Sequence, residues 1–103
     1  MIRHIVMWRL RAANPEEKRA ACELVKRSFE SLRGQIPGMM HLEIGIDRSH
    51  VDYACDVVLM SEFESVAALE AYGTHPEHLR VRNELQGLRT ARHQVDYAVG
   101  DGS

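Results

Sequence analysis

The stretch IRHIVMWRL, residues 2–10, alternates its side chains with the two-residue period of a β-strand. Its centre is apolar on both faces of that strand. A second stretch, YACDVVLMSEF at residues 53–63, has the same character in its VVLM segment. Strands that are apolar on both faces are typical of a sheet that is covered on both sides. We therefore expect these two strands to lie in the centre of a sheet.

A long helix is predicted between these two strands. Asn14 is a good capping residue, Pro15 suits the first helical position, and Glu17 has the spacing of a capping box. The helix is expected to end near Gly34, with one stripe facing a core. The residues of that stripe are Ala21, Cys22, Val25, Ser28, Phe29, Leu32 and Ile36.

The rest of the chain supplies two more strands and a broken helix. Residues 40–46 alternate apolar and polar side chains, and residues 92–99 do the same. A short helix is predicted from Ser65 to Gly73, and Pro76 begins the next one after the break. The order βαββαβ predicts an α+β, ferredoxin-like protomer, whose four-stranded antiparallel sheet carries its helices on one face.

This arrangement leaves the other face of the sheet uncovered, although its central strands are apolar there. An apolar patch of that size on a small protein normally marks an interface. We therefore expect a homodimer in which two sheets pack face to face and form a dimeric α+β barrel.

Composition limits the classes of protein to which the chain can belong. Its 103 residues suit one domain, predicted over residues 1–99, followed by a flexible tail at residues 100–103. A formal charge of −2 argues against nucleic acid as a partner. Two cysteines do not make a disulfide framework. The sequence shows no apolar run long enough to predict a membrane segment or a leader. We expect a cytoplasmic protein.

Five short segments in this order resemble the stress-responsive dimeric A/B-barrel family, and the resemblance extends from residue 1 to about residue 98. They are MIRHIV (1–6), Ile36-Pro37-Gly38, Phe63-Glu64-Ser65, Tyr72 with HPEH (75–78), and Val95-Asp96-Tyr97. The resemblance implies a ferredoxin-like protomer and a homodimeric barrel, in agreement with the pattern of strands. It implies no particular reaction.

One branch of this family, the plant olivetolic acid cyclases, closes a linear polyketide thioester with a Tyr and a His. The matching residues are Tyr72 and His78, and a further pocket His of the cyclases matches His4. Two other pocket positions differ, because Val57 stands where the cyclases have a His and Phe29 where they have a Tyr.

The candidate catalytic pair is therefore Tyr72 and His78. His78 lies in the first turn of a helix, where the helix dipole favours a neutral imidazole that can accept a proton. Tyr72 could donate its phenol to a developing enolate oxygen. In the alternative interpretation, His75 caps the helix, His78 bonds a backbone group and Tyr72 is a core residue. His4, Val57, Phe29 and His75 are the candidate pocket residues.

Two further sets of residues are candidate binding groups. Some relatives hold magnesium with backbone carbonyls after the first helix, and the matching positions are Arg33, Ile36 and Met39. No other cofactor is predicted. The second set is basic: Arg80, Arg82, Arg89 and Arg92 are either a solvated helix face or a rim that attracts a carboxylate or a thioester-linked phosphate.

Three functional hypotheses follow. The first is a homodimer that binds a small apolar or aromatic molecule in a pocket between sheet and helices. The second is a polyketide cyclase or another cofactor-free lyase or isomerase that uses the Tyr/His pair. The third is a structural stress protein whose interior is filled by side chains and has no site.

Overall fold

Four strands and three helices make up residues 1–100, the part of the chain that the structure, a computed structural model, describes. In order they are β1 (Ile2–Leu10), α1 (Pro15–Glu30), β2 (Met39–Ile46), β3 (Val57–Phe63), α2 (Val66–Gly73), α3 (Pro76–Glu84) and β4 (Arg89–Ala98). The strands form one antiparallel sheet in the order β2-β3-β1-β4. The predicted ferredoxin-like fold is confirmed, and β1 and β3 are the central strands.

Capping residues set the starts of the helices, as the sequence predicts. Asn14 Oδ1 accepts a hydrogen bond from the Glu17 amide at 2.9 Å, which satisfies a free donor of α1. Ser65 does the same for α2 through the Ala68 amide at 3.1 Å. The end of α1 was predicted near Gly34, but the helix stops at Glu30. Beyond it the backbone continues in tighter turns, in which Leu32 N donates to Phe29 O and Gln35 N donates to Leu32 O.

Strand β3 is shorter than predicted, because it begins at Val57 and leaves Tyr53 in an exposed loop. The side chain of Asp47 accepts hydrogen bonds from the Ser49 hydroxyl and from the His50 amide. A second turn follows, in which the Ala54 amide donates to the Val51 carbonyl at 3.1 Å. The second turn takes up the Ala54 amide, which a strand that began at Tyr53 would need.

Irregular pairing at two strand ends explains the other differences. A shift of register between Met39 and His41 places Met39 against the core and leaves Met40 exposed, whereas the alternation predicts Met40 inside. Strand β4 begins at Arg89, three residues earlier than predicted, beside a similar irregularity between Arg9 and Leu10.

Alternate residues of β1, β2 and β3 pack with the helices in one hydrophobic core. Val6, Trp8, Leu59 and Phe63 lie on this side of the sheet, and each is at least 97% buried. We call the opposite side the open face. Its apolar side chains are partly or largely exposed, and they are Ile5, Met7, Val58, Met60, Val95 and Tyr97.

No helix within residues 1–100 is long and apolar enough to cross a bilayer. Residues 101–103, which make up most of the predicted tail, lie outside the part of the chain that the structure describes. Cys22 and Cys55 are free thiols and form no disulfide with each other.

Candidate functional site

A cleft of about 570 Å³ lies on the helix side of the sheet, between β1, β4 and the two short helices. Its apolar wall comes from Val6, Trp8 and Leu59 on the strands and from Phe29 on α1. The Trp8 and Phe29 rings are stacked, with centroids 5.0 Å apart. The polar residues that line the cleft are His4, Tyr72, His78, Thr90 and three arginines.

The break between α2 and α3 brings Tyr72 and His78 together. Tyr72 lies near the end of α2, and His78 lies in the first turn of α3. Their ring centroids are 4.2 Å apart. His75 caps α3 by accepting the Glu77 amide proton on Nδ1 at 3.1 Å, and it does not line the cleft. The chain therefore turns at His75, and His78 enters the cleft that Tyr72 also lines.

The hydrogen bond of His78 determines which of its ring nitrogens is free. Nδ1 lies 3.2 Å from the Gly73 carbonyl oxygen, and because a carbonyl can only accept, Nδ1 is the donor. The neutral ring then carries its lone pair on Nε2. Burial lowers the pKa of His78, against the opposing effect of the Gly73 hydrogen bond, and the charge of Arg82 lowers it further. His78 is thus held neutral, with one basic nitrogen.

We expect this lowered pKa to make the stability depend on pH. Unfolding returns His78 to its ordinary pKa of 6.5, so below that pH the unfolded chain binds a proton more readily than the folded one. The free energy of unfolding should therefore fall as the pH decreases from about 7 to about 5. Urea titrations across this range should show a smaller decrease for His78→Gln than for wild type. The exposed His41→Gln is the control, and an unchanged dependence in His78→Gln would contradict the prediction.

Tyr72 is suited to donate a proton in a hydrogen bond and not to act as a base. Its side chain is buried, and burial raises the pKa of its phenol well above the ordinary value of 10.0. The opposing charges of Arg92 and Arg89 are smaller influences. Within residues 1–100 the Tyr72 hydroxyl has no hydrogen-bond partner, and it is available to a ligand oxygen in the cleft.

His4 is paired with Asp96, which is not among the site residues predicted from the sequence. The distance from His4 Nδ1 to Asp96 Oδ1 is 2.6 Å, and Asp96 Oδ2 accepts from Gln94 Nε2 at 2.9 Å. The two residues are direct partners in the β1/β4 register. The His4 ring also meets the Tyr72 ring edge to face, with centroids 6.2 Å apart. Correct pairing of the first and last strands would have revealed Asp96.

The four arginines of the predicted basic set separate into two groups. Arg80 binds Glu84 at 2.7 Å and Glu77 at 3.3 Å, both on its own helix. This arginine therefore belongs to a solvated helix face. Arg82, Arg89 and Arg92 line the cleft instead. The Arg89 guanidinium lies 5.5 Å from the centre of the Trp8 ring, in a cation–π contact.

The structure therefore brings together four of the six predicted site residues, namely His4, Phe29, Tyr72 and His78. Val57 is 2% exposed, pairs with Trp8 in the β1/β3 register and does not line this cleft. His75 also lies outside the cleft, at the cap of α3. The cleft thus has an aromatic wall, the pair Tyr72 and His78, and a basic rim of three arginines.

The turn after α1 offers little to a magnesium ion. The Ile36 carbonyl already accepts the Met39 amide at 3.2 Å. Within residues 1–100, His, Cys, Asp and Glu side chains form no cluster of three that could hold a metal. Magnesium prefers carboxylates and water molecules, so Arg33, Ile36 and Met39 alone do not fit it well. Magnesium at this turn stays a prediction and has no part in the function proposed below.

The sequence matches the profile of the stress-responsive A/B barrel domain over residues 2–99. The chain belongs to this family. Membership agrees with the resemblance seen in the sequence and with the observed fold of this A/B barrel protein. A comparison with curated proteins found no match.

Solved structures share the fold of this A/B barrel domain. A dimeric protein of unknown function from Bacteroides fragilis is 29% identical, with a TM-score of 0.84 and 95% of each chain covered. A family member from Mesorhizobium loti is 24% identical, with a TM-score of 0.73 and 97% of each chain covered. The hydroxynitrile lyase of Passiflora edulis is 18% identical, with a TM-score of 0.77 over 97% of this chain and 94% of its own.

Proposed function

We propose that this A/B barrel protein binds a small apolar or aromatic molecule in the cleft between sheet and helices. The observation that carries the proposal is the cleft itself, about 570 Å³ with an aromatic wall and a few polar groups. Ligand pockets of proteins have volumes of a few hundred to about 1,000 Å³ and this same mixture of lining groups. A structural protein without a site would fill this space with side chains.

A binding experiment tests this function directly. Trp8 lines the cleft and is the single tryptophan of the chain, so its fluorescence reports on occupancy. We expect neutral aromatic probes such as phenylacetamide to change that fluorescence in a saturable way and to raise the melting temperature. Absence of both effects at millimolar concentrations, for probes from benzene-sized to naphthalene-sized rings, would contradict the proposal.

We also propose that two copies pack their open faces together as a homodimer. Met7 is 36% exposed and Val95 51% exposed in the single chain, in the middle of an apolar face. A polar group lies at one end of that face, where Arg3 binds Glu62 at 2.7 Å and the Tyr97 hydroxyl at 2.9 Å. The Bacteroides fragilis protein of the same fold is dimeric, which supports the proposal. The cleft lies on the other side of the sheet and stays accessible.

Light scattering is expected to give a mass of twice 11.7 kDa for the wild-type protein. Met7→Asp places a charge in the proposed interface and should shift the mass to that of one chain, because a buried unpaired charge opposes association. Leu24→Asp is the control, since Leu24 is an exposed residue of α1 on the helix side. A wild-type mass of one chain at micromolar concentration would contradict the dimer.

A second candidate function is catalytic, and the observation that favours it is the 4.2 Å separation of the Tyr72 and His78 rings. In a cofactor-free cyclase, lyase or isomerase, His78 Nε2 would remove a proton next to a carbonyl carbon. Tyr72 would donate a hydrogen bond to the enolate oxygen that develops. For a polyketide thioester, the enolate carbon would then attack a second carbonyl, and His78 would return its proton to the new alkoxide.

Turnover of a linear polyketide thioester distinguishes binding from catalysis. His78→Ala and Tyr72→Phe should each lower the rate by at least about a hundredfold if the pair is catalytic. Tyr53→Phe is the matched control, because Tyr53 is an exposed loop residue. Equal rates for all four proteins would rule out this reaction and leave the binding function.

A cytoplasmic location accompanies the proposed function. The two free thiols are stable in a reducing compartment, and one of them, Cys22, is buried in the core. Fractionation of cells that express the tagged protein would test the location.

A further inference from the structure

We propose that the ligand of the cleft carries a carboxylate, and that Arg82, Arg89 and Arg92 bind it. This inference rests on the proposed binding function and names the chemical class of the ligand. An aromatic or apolar body would occupy the wall formed by Trp8 and Phe29, with the carboxylate directed to the arginine rim.

The first observation is that these three arginines have no acidic partner within residues 1–100. Within residues 1–100, no ion pair and no side-chain hydrogen bond joins any of them to another residue. Other arginines of the same fold find partners, since Arg80 binds two glutamates and Arg3 binds Glu62. An exposed arginine without a partner is common, but three around one cleft concentrate positive charge where a ligand enters.

The second observation concerns Arg89, which is half-buried. Burial lowers the pKa of its guanidinium, and the charges of Arg82 and Arg92 lower it further. A partly desolvated cation beside two like charges is an unfavourable arrangement in the empty protein. A carboxylate would relieve it, because charge-assisted hydrogen bonds are stronger where water is partly excluded.

The third observation is geometric. Arg82 comes from α3 and the other two arginines from β4, so the rim is assembled from separate elements of the fold. Arg92 is the β4 partner of Trp8, and Arg89 lies over the Trp8 ring. Asp96, an acid on the same face of β4, is already bound to His4 and Gln94. The guanidinium groups thus adjoin the aromatic wall, as one molecule with a ring and a carboxylate requires.

Phenylacetate and phenylacetamide are suitable probes, because they share a ring and differ in charge. Calorimetric titration should show that wild type binds phenylacetate at least about tenfold more tightly than phenylacetamide. Added salt should weaken the binding of the carboxylate and leave that of the amide unchanged. Inorganic phosphate tests a different oxyanion, and competition by phosphate as strong as that by phenylacetate would overturn the carboxylate assignment.

Arg89→Gln and Arg92→Gln should each lower the affinity for phenylacetate by about tenfold or more and should lower the affinity for phenylacetamide by a much smaller factor. Arg80→Gln is the matched control and should bind both probes as wild type does. The Arg92→Gln protein should keep the wild-type melting temperature, so that lost affinity cannot be explained by unfolding.

The outcomes separate the two proposals. Equal binding of both probes to wild type, with no effect of either arginine substitution, would overturn the carboxylate assignment and leave the binding function intact. Failure of both probes to bind would contradict the binding function as well.

Discussion

Val6→Asp is expected to remove the cooperative unfolding transition of this protein altogether. Val6 is 1% exposed in the middle of β1, and its side chain belongs to the hydrophobic core and to the apolar wall of the cleft. Burial of an unpaired carboxylate costs several kcal/mol, and a domain of this size has a total stability of about 5–15 kcal/mol. Circular dichroism during heating should show no sigmoidal transition, and the protein should be recovered mostly as aggregate.

The control for this substitution is Val66→Asp, which makes the same chemical change at a 56% exposed position. Val66 is the first residue of α2, where a negative charge is favoured by the helix dipole. Its melting temperature should equal or slightly exceed that of wild type. A folded Val6→Asp protein with a near wild-type melting temperature would mean that β1 does not lie in the core.

Gly38→Ala is expected to have the second largest effect, with a loss of about 3 kcal/mol or more in the free energy of unfolding. Gly38 has φ +82, and a Cβ atom there would lie 2.6 Å from Ala68 Cβ on α2. Its carbonyl also accepts the Glu64 amide at 2.9 Å, so the turn cannot move away freely. Displacement of α2 would move Tyr72, and the affinity of the cleft for its ligand should fall together with the stability.

Gly34→Ala separates backbone strain from the clash. Gly34 has φ +80, nearly the same as Gly38, but nothing lies within 4 Å of a Cβ atom built there. This substitution should cost only about 1–2 kcal/mol, the cost of the left-handed conformation for a residue with a side chain. Urea titration of both variants tests the difference. Equal losses would show that the contact with Ala68 does not position α2.

The sequence predicts the fold of this protein well, because two periodic patterns and several local signals agree. Alternating side chains indicate the strands. The capping residues Asn14 and Ser65 indicate where two of the helices begin. The errors fall at the ends of strands and at the end of α1. The shift of register beside Met39 and the Asp47 turn depend on hydrogen bonds between distant backbone groups or on side-chain bonds within a loop, which no two-residue period reveals.

The candidate site was predictable to a smaller extent. The resemblance pointed to Tyr72, His78 and His4, which do line one cleft. Asp96 could not be predicted as a site residue, because it reaches the site only by lying opposite His4 in the β1/β4 register. A pattern of side chains along one strand does not give that register. The arginines presented a different difficulty. Arg80 and Arg82 are two positions apart on one helix, yet one forms ion pairs with its own helix and the other lines the cleft.

The central position of β1 also affects how the chain folds during its synthesis on the ribosome. Ile2 pairs with Phe63 on one side and with Ala98 on the other, so the first strand of this domain in sequence is completed by its last. Contacts between residues so distant in sequence form slowly. Until Ala98 has left the exit tunnel, β1 has no complete sheet to join, and its apolar side chains stay exposed to contacts that lead to aggregation.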